Sequence, residues 1–443
     1  MNGRTVPPTR SFTRLLVGMV AAGSLLGLSA CAPEPEPTAD PAPTAAPETP
    51  EPAAYDGPLH FVGDELDWFL LSADEIAAVV PGAADFSEPS ASLLQVADGY
   101  GAMFDPETCG VFFLEASLGS IGARSITWQA ENERQGRLSV LQFADEGQAE
   151  RRMDDYVAAS EQCATFTFDQ SASSFDSAAI DEDGVRTVVG SIELGTPDSG
   201  FRHYFGIASA GNVLVEFWHS YTGDSVIDAD ATARALHARA DQAQELLIGE
   251  LTANPPAPPT EPPAADAAAA WSDWTIGFDG VGPLRLGDDI DTAVATVPDA
   301  EVSASEWAPD QRTLTSPDGS ASLQVQAQEG GKAVATILAG KIALYGEPPV
   351  DGAVLPRAGE IRIGDPIENA MTAFPEGTSV RVVAAGLHFY EVATRGGRVL
   401  LFHADRDIAT PGATVIGITA EDGTLRREYT MDALRSQAET DSP

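Results

Sequence analysis

The stretch Leu284-Arg285-Leu286-Gly287-Asp288-Asp289-Ile290-Asp291, continuing through Ala293 to Pro298, returns 77 residues later as Ile361-Arg362-Ile363-Gly364-Asp365-Pro366-Ile367-Glu368, through Ala370 to Pro375. Six positions are identical and four more are close substitutions, which predicts two copies of one structural unit. In each copy a short apolar strand ends at a glycine that permits a tight turn, and an aspartate caps a helix N-terminus. Pro366 takes the favoured first helical position in the second copy. The apolar helix positions are Ile290, Ala293, Val294 and Val297, then Ile367, Ala370, Met371 and Phe374. Hairpin signals follow each helix at Ser316-Pro317-Asp318-Gly319 and Arg395-Gly396-Gly397-Arg398. The pattern predicts a pseudo-symmetric α+β domain over 271–435 built from two strand-Gly-helix plus hairpin repeats, followed by a disordered tail at 436–443. It resembles strand-Gly-helix repeats of secreted actinobacterial proteins, a likeness that implies no chemistry.

The rest of the 443 residues divides at proline-rich stretches. A linker at 253–270 contains Pro255-Pro256, Pro258-Pro259 and Pro262-Pro263 and separates the repeats from a second domain at 55–252. Residues 31–54 form another spacer, in which Ala32 to Ala54 carries five acids, no base and no aromatic residue. A segment of that composition cannot bury enough apolar surface to offset its ordering entropy.

Ahead of the spacer, Arg4, Arg10 and Arg14 precede an apolar stretch from Leu15 to Leu28 and then Leu28-Ser29-Ala30-Cys31. The stretch is too short for the roughly 20 residues of a spanning helix and has the layout of a secretory signal covering 1–30. Cys31 after Leu-Ser-Ala resembles the lipobox of bacterial lipoproteins, in which this thiol receives diacylglycerol. The resemblance implies attachment to the extracytoplasmic face of the cell membrane, with Cys31 as the first mature residue. Removing 1–30 takes away three arginines and no acid, moving the net charge from -42 to -45.

Within 55–252, Ser72-Ala73-Asp74-Glu75 is a capping box opening a short helix. Strand patterns fall at Arg124 to Ala130, Arg137 to Phe143, Thr165 to Phe168, Val185 to Leu194, Phe201 to Ala208 and Val213 to His219. Helical spacing marks Asp145 to Gln162 and Ala229 to Leu251. Strands grouped centrally with helices at the ends predict α+β with a mainly antiparallel sheet. With Cys31 used for lipid, Cys109 and Cys163 are an even pair in an exported chain and read as one disulfide, two buried free thiols being the alternative.

The order Cys109, Val140-Leu141-Gln142-Phe143-Ala144, Ala149, Cys163, a late arginine-bearing strand and Asn212-Val213-Leu214-Val215 resembles the PknH-like extracellular sensor domain. That domain occurs in actinobacterial receptor kinases and small lipoproteins, and the resemblance covers about residues 60–250. It implies ligand binding in a cleft of the sheet. It also implies that a second cysteine pair, expected near Phe201 and His219, has been lost here and that Cys109 with Cys163 is the retained disulfide.

Composition limits the chemistry. Sixty-seven acids against 25 bases leave no basic stripe, which excludes nucleic acid as an expected partner. No catalytic or phosphate-binding motif occurs, and the six histidines are scattered, so no cofactor, metal or enzymatic activity is expected. Asp181-Glu182-Asp183-Gly184 invites a calcium reading but lacks the EF-hand ladder, with Ala179 and Gly190 at its first and twelfth ligand positions. Arg202, His203 and Trp218 are the candidate cleft residues, ordinary sheet packing being the competing account. The expected function is a lipid-anchored, non-catalytic, sensor-like binder of a small molecule, glycan or protein. The alternatives are an envelope hydrolase using dispersed carboxylates and a structural envelope assembly protein.

Overall fold

A computed structural model of the chain describes residues 53–96, 104–130, 134–194, 201–221, 227–257, 265–305 and 308–434. The signal segment, Cys31, nearly all of the first spacer, the centre of the second linker and the predicted tail lie outside the described residues. The fold is α+β, as the sequence predicts.

The N-terminal half contributes β1 (Ser92–Gln95), β2 (Phe104–Asp105), β3 (Gly122–Ala130), β4 (Arg134–Gln142), β5 (Phe166–Phe168) and β6 (Ser171–Glu182). It continues with β7 (Val185–Leu194), β8 (Phe201–Ala210) and β9 (Val213–Ser220). Its helices are α1 (Ala73–Val79), α2 (Glu146–Gln162) and α3 (Ala229–Ala253). Strands β2 to β9 form an antiparallel sheet in the order β2-β5-β6-β7-β8-β9-β4-β3.

Both faces of this sheet are covered, so its central strands are apolar on both sides. Along β8, Tyr204 and Ala208 join the core under α3, while Phe205 and Ile207 point the other way, to the core under α2. Helix α2 starts at Asp145, whose side chain accepts the Gln148 N–H at 2.8 Å, and buries Ala149, Met153, Tyr156 and Ala159 on one stripe. Helix α3 starts at Asp228 in the same way and buries Ala233, Leu236, Ala240, Ala243, Leu247 and Leu251. Cys109 and Cys163 are disulfide-bonded and fully buried. The bond joins the 3-10 helix Glu107–Phe113 to the residue that ends α2. Closing a loop of 54 positions contributes about 4 kcal/mol in the chain-entropy account.

The C-terminal half opens with a small sheet of β10 (Ile276–Gly277), β11 (Gly280–Val281) and β12 (Leu284–Arg285). Helix α4 (Ile290–Ala295) then leads into β13 (Glu301–Ala304), β14 (Gln311–Thr315), β15 (Ser322–Ala327) and β16 (Val334–Gly340). Helix α5 (Ile367–Ala373) leads equivalently into β17 (Thr378–Val382), β18 (Leu387–Ala393), β19 (Arg398–Ala404) and β20 (Val415–Asp422). Each repeat is thus a turn, a helix and a four-stranded meander, and the expected hairpins connect β14 to β15 and β18 to β19. The last strands, β16 and β20, pair antiparallel and join the repeats.

The copies differ at their starts. Asp289 caps α4, its Oδ1 accepting the N–H groups of Asp291 and Thr292 at 3.1 Å. Pro366 stands at the equivalent cap position of α5, one residue before its expected place, and Asp365 instead accepts the Arg362 N–H at 2.8 Å. The strand expected at Ile361 to Ile363 is reduced to a single bridge between Ala358 and Ile361.

The described residues of the two halves interlock within one compact unit. Strand β1 leaves the N-terminal half and pairs parallel with β17, making the order β1-β17-β18-β19-β20-β16-β15-β14-β13. Its Leu93 is buried in a core shared by Leu141 of β4 and Val380 of β17. The N–H of Ala123 in β3 reaches Thr378 Oγ1 at 3.0 Å. Beyond β20 the chain returns to α2, where Asp155 accepts the Met431 N–H at 2.9 Å and Arg152 donates to the Tyr429 carbonyl. No described helix is long and apolar enough to cross a membrane.

Candidate functional site

Where α2 ends its cover of the first sheet, the face of β3, β4 and β9 stays polar. Strand register puts Ser125, Ser139 and Glu216 in one row and Thr127, Arg137 and Trp218 in the next. Gln129 and Gln135 start a third row, and Ser220 of β9 lines the same cleft. Rows of this kind are spaced about 6.8 Å along the strands and about 4.8 Å across them. The face forms the floor of a cleft of about 530 Å3, walled by Ser92, Leu93 and Leu94 of β1 and by Glu115.

The charged groups are held by the protein. Glu216, buried at 6% exposure, accepts from Arg137 through one oxygen, Oε2, at 2.8 Å from Nη2 and 3.2 Å from Nε. Glu216 is the first cause of the raised Arg137 pKa, outweighing the burial that opposes it. Glu115 follows the 3-10 helix that the disulfide anchors. Its Oε1 accepts the Ser117 hydroxyl at 2.9 Å and its Oε2 the Val96 N–H at 3.4 Å. Beside the cleft, on the same side of the sheet, the fully buried Tyr156 ring of α2 stacks on Phe205 at 5.3 Å.

Of the three candidate cleft residues, the structure brings two together. His203 and Trp218 lie on this face with ring centroids 4.2 Å apart, and His203 Nδ1 is 3.3 Å from the Ser220 hydroxyl. Burial pushes the His203 pKa down to about 4, so the ring is neutral at pH 7 and offers Trp218 an uncharged neighbour. Arg202 belongs to the opposite face, because successive strand residues alternate, and it pairs with Glu193 at 3.3 Å. The acidic run at Asp181 to Gly184 is the end of β6 and the β6–β7 hairpin turn, the turn being Asp183 and Gly184 at φ 52° and 80°. Such values fit the Asp-Gly turn of a two-residue hairpin. Among the described residues no group of three or more His, Cys, Asp or Glu side chains is arranged to hold a metal.

The sequence reading missed Arg137, Glu216 and Glu115. One signal was available, a glutamate inside the apolar run Val213-Leu214-Val215-Glu216-Phe217-Trp218, since a charge there requires a partner.

No protein-family model matches the chain, and the comparison with curated proteins gives no match. Among solved structures, the chain is similar to the crystal structure of the extracellular domain of PknH from Mycobacterium tuberculosis. The two are 14% identical over 44% of this chain and 100% of that one, with a TM-score of 0.30. The likeness concerns fold alone.

Proposed function

We propose that this chain is a lipoprotein held at the extracytoplasmic face of the cell membrane by diacylglycerol on Cys31, and that its first sheet binds an envelope ligand without turning it over. The observation that carries the binding reading is the open cleft with Trp218 and a grid of hydroxyl and amide side chains on its floor. Its two carboxylates both accept hydrogen bonds from the protein, Glu216 from Arg137 and Glu115 from Ser117 and Val96. Groups fixed in this way orient a ligand. The anchor rests on the lipobox-like Leu28-Ser29-Ala30-Cys31 behind a basic and then apolar segment.

Glu115 and Glu216 sharing one cleft is what the hydrolase alternative would use. One experiment separates the readings. Soluble residues 52–443 are incubated with envelope extract, recovered, and the bound and released material is identified by mass spectrometry. A ligand retained unchanged, and lost in Trp218→Ala, supports binding; steady release of cleaved product that stops in Glu216→Gln replaces it with hydrolysis. For the anchor, Cys31→Ser is expected to move the full chain from the membrane to the soluble fraction, and retention on membranes would sink that part.

A further inference from the structure

Resting on the binding reading, we infer that the cleft takes a neutral oligosaccharide. Its floor presents three rows of polar side chains rather than a closed polar spot. Ser125 stands opposite Ser139, Thr127 opposite Arg137 and Gln129 opposite Gln135. Hydroxyls and amides both donate and accept, so a face of this kind matches a ligand whose own surface is a repeating array of hydroxyls. The regular spacing of the rows suits a chain of similar units lying along the strands.

Charge excludes the other polar polymers. Glu115 and Glu216 share the cleft with two arginines, both engaged: Arg137 spends its Nε and Nη2 on Glu216, and Arg124 is held by Asp64 at 3.3 Å and Asp67 at 3.2 Å. The cleft has no free guanidinium fork for a phosphate or carboxylate, and the chain around it carries a net charge of -42. A cation would be drawn by the surplus carboxylate, but cation recognition by rings uses a cage of several aromatic faces. Here Trp218 is half-buried, backed by His203, and Trp128, which also lines the cleft, is only 1% exposed. A single aromatic face beside hydroxyls and amides fits the apolar C–H face of a sugar ring, with its hydroxyls reaching the neighbouring rows.

The test is titration of soluble residues 52–443 with chitotetraose and cellotetraose, followed by tryptophan fluorescence and calorimetry, with an oligogalacturonate as the anionic control. Saturable binding of at least one neutral oligosaccharide is expected, with the anionic one weaker by about tenfold or more. Trp218→Ala is expected to weaken binding by about tenfold. Should that variant fail to fold, the exposed Thr127→Val and Gln135→Ala carry the same expectation at sites where the core is untouched. Absence of saturable binding to either neutral oligosaccharide, or binding that none of these substitutions changes, overturns the inference. A peptide or lipid recovered from envelope extract in a Trp218-dependent way would leave the cleft as the binding site and defeat the saccharide alone.

Discussion

Gly340 and Gly417 are register partners where β16 meets β20, and they occupy equivalent positions in the two repeats, 77 residues apart. The pseudo-twofold axis of the repeat pair therefore passes between two glycines. Neither tolerates a side chain. A Cβ on Gly340, where φ is 89°, would lie 2.5 Å from the Ile416 carbonyl oxygen, and one on Gly417 would lie 2.2 Å from that of Lys341. Gly340→Ala should cost roughly 3 kcal/mol, combining left-handed backbone strain with a backbone clash. Urea unfolding of the variant measures it; an unchanged midpoint would mean that the strands part at the join at no cost.

Arg426 draws three parts of the molecule together. Its guanidinium donates to Glu391 of β18 at 2.6 Å, to Glu421 of β20 at 2.5 Å, and to the carbonyl of Ser120, just ahead of β3. Burial works against its charge, and Glu421 and Glu391 outweigh burial, so its pKa lies above the usual arginine value. Glu391 is 2% exposed, and burial raises its carboxyl despite the arginine. Arg426→Met should therefore destabilise by about 3 to 5 kcal/mol, because a buried carboxylate is left without its partner. Adding Glu391→Gln should recover part of that loss, and a double-mutant cycle showing simple additivity would remove the coupling.

What was legible in the sequence is what has a local cause. The run Val185 to Leu194 is a strand over those same residues, and α2 begins at its capping Asp145, because alternation, helical spacing and caps act between neighbours. Strand β6, Ser171–Glu182, gave no signal: only Ser173 and Phe175 are buried, and its place is set by pairing with β7. Strand β1 is four residues long and exists through its pairing with β17, far along the chain. The cleft had the same difficulty, since Glu216 announces a buried charge while Arg137 meets it only through the β4–β9 register. Grouping Arg202 with His203 overlooked a local rule, the alternation that turns adjacent strand residues to opposite faces.

His403, 6% exposed between β18 and β20, makes stability depend on pH. Its Nε2 lies 2.8 Å from the Thr419 hydroxyl, and burial pushes its pKa down to about 4. The unfolded chain takes up this proton near the ordinary value of about 6.5. Between these values the unfolded state binds more protons, so stability is full above the unfolded pKa and falls as pH drops toward about 4. The loss should reach about 3 kcal/mol at the lower end. His203 acts in the same direction, whereas the raised Glu391 carboxyl acts in the opposite one, so the difference between parent and His403→Gln isolates this residue. Melting temperatures recorded from about pH 7.5 to about pH 4.5 should fall more steeply in the parent; parallel curves would assign the acid sensitivity elsewhere.

The interlocking of the halves predicts that cutting the chain between them will not separate them. A specific protease site placed at 258–264 gives two fragments joined only by noncovalent contacts. Those contacts include the β1–β17 ladder, the Ala123 to Thr378 hydrogen bond and the ion pair of Glu65 with Arg395. Met431 and Leu434 also sit in the core beneath α2, so the C-terminal fragment fills part of the N-terminal half. Leaving that core would expose Leu93 and Val380 as well, each of them a side chain whose full burial contributes about 1.5 to 3 kcal/mol. The nicked protein should elute as one species from size exclusion at micromolar concentration, with both fragments in the same peak, and should split only in denaturant. Two separate folded peaks in plain buffer would show instead that the linker alone keeps the halves together, and would restore two independent domains.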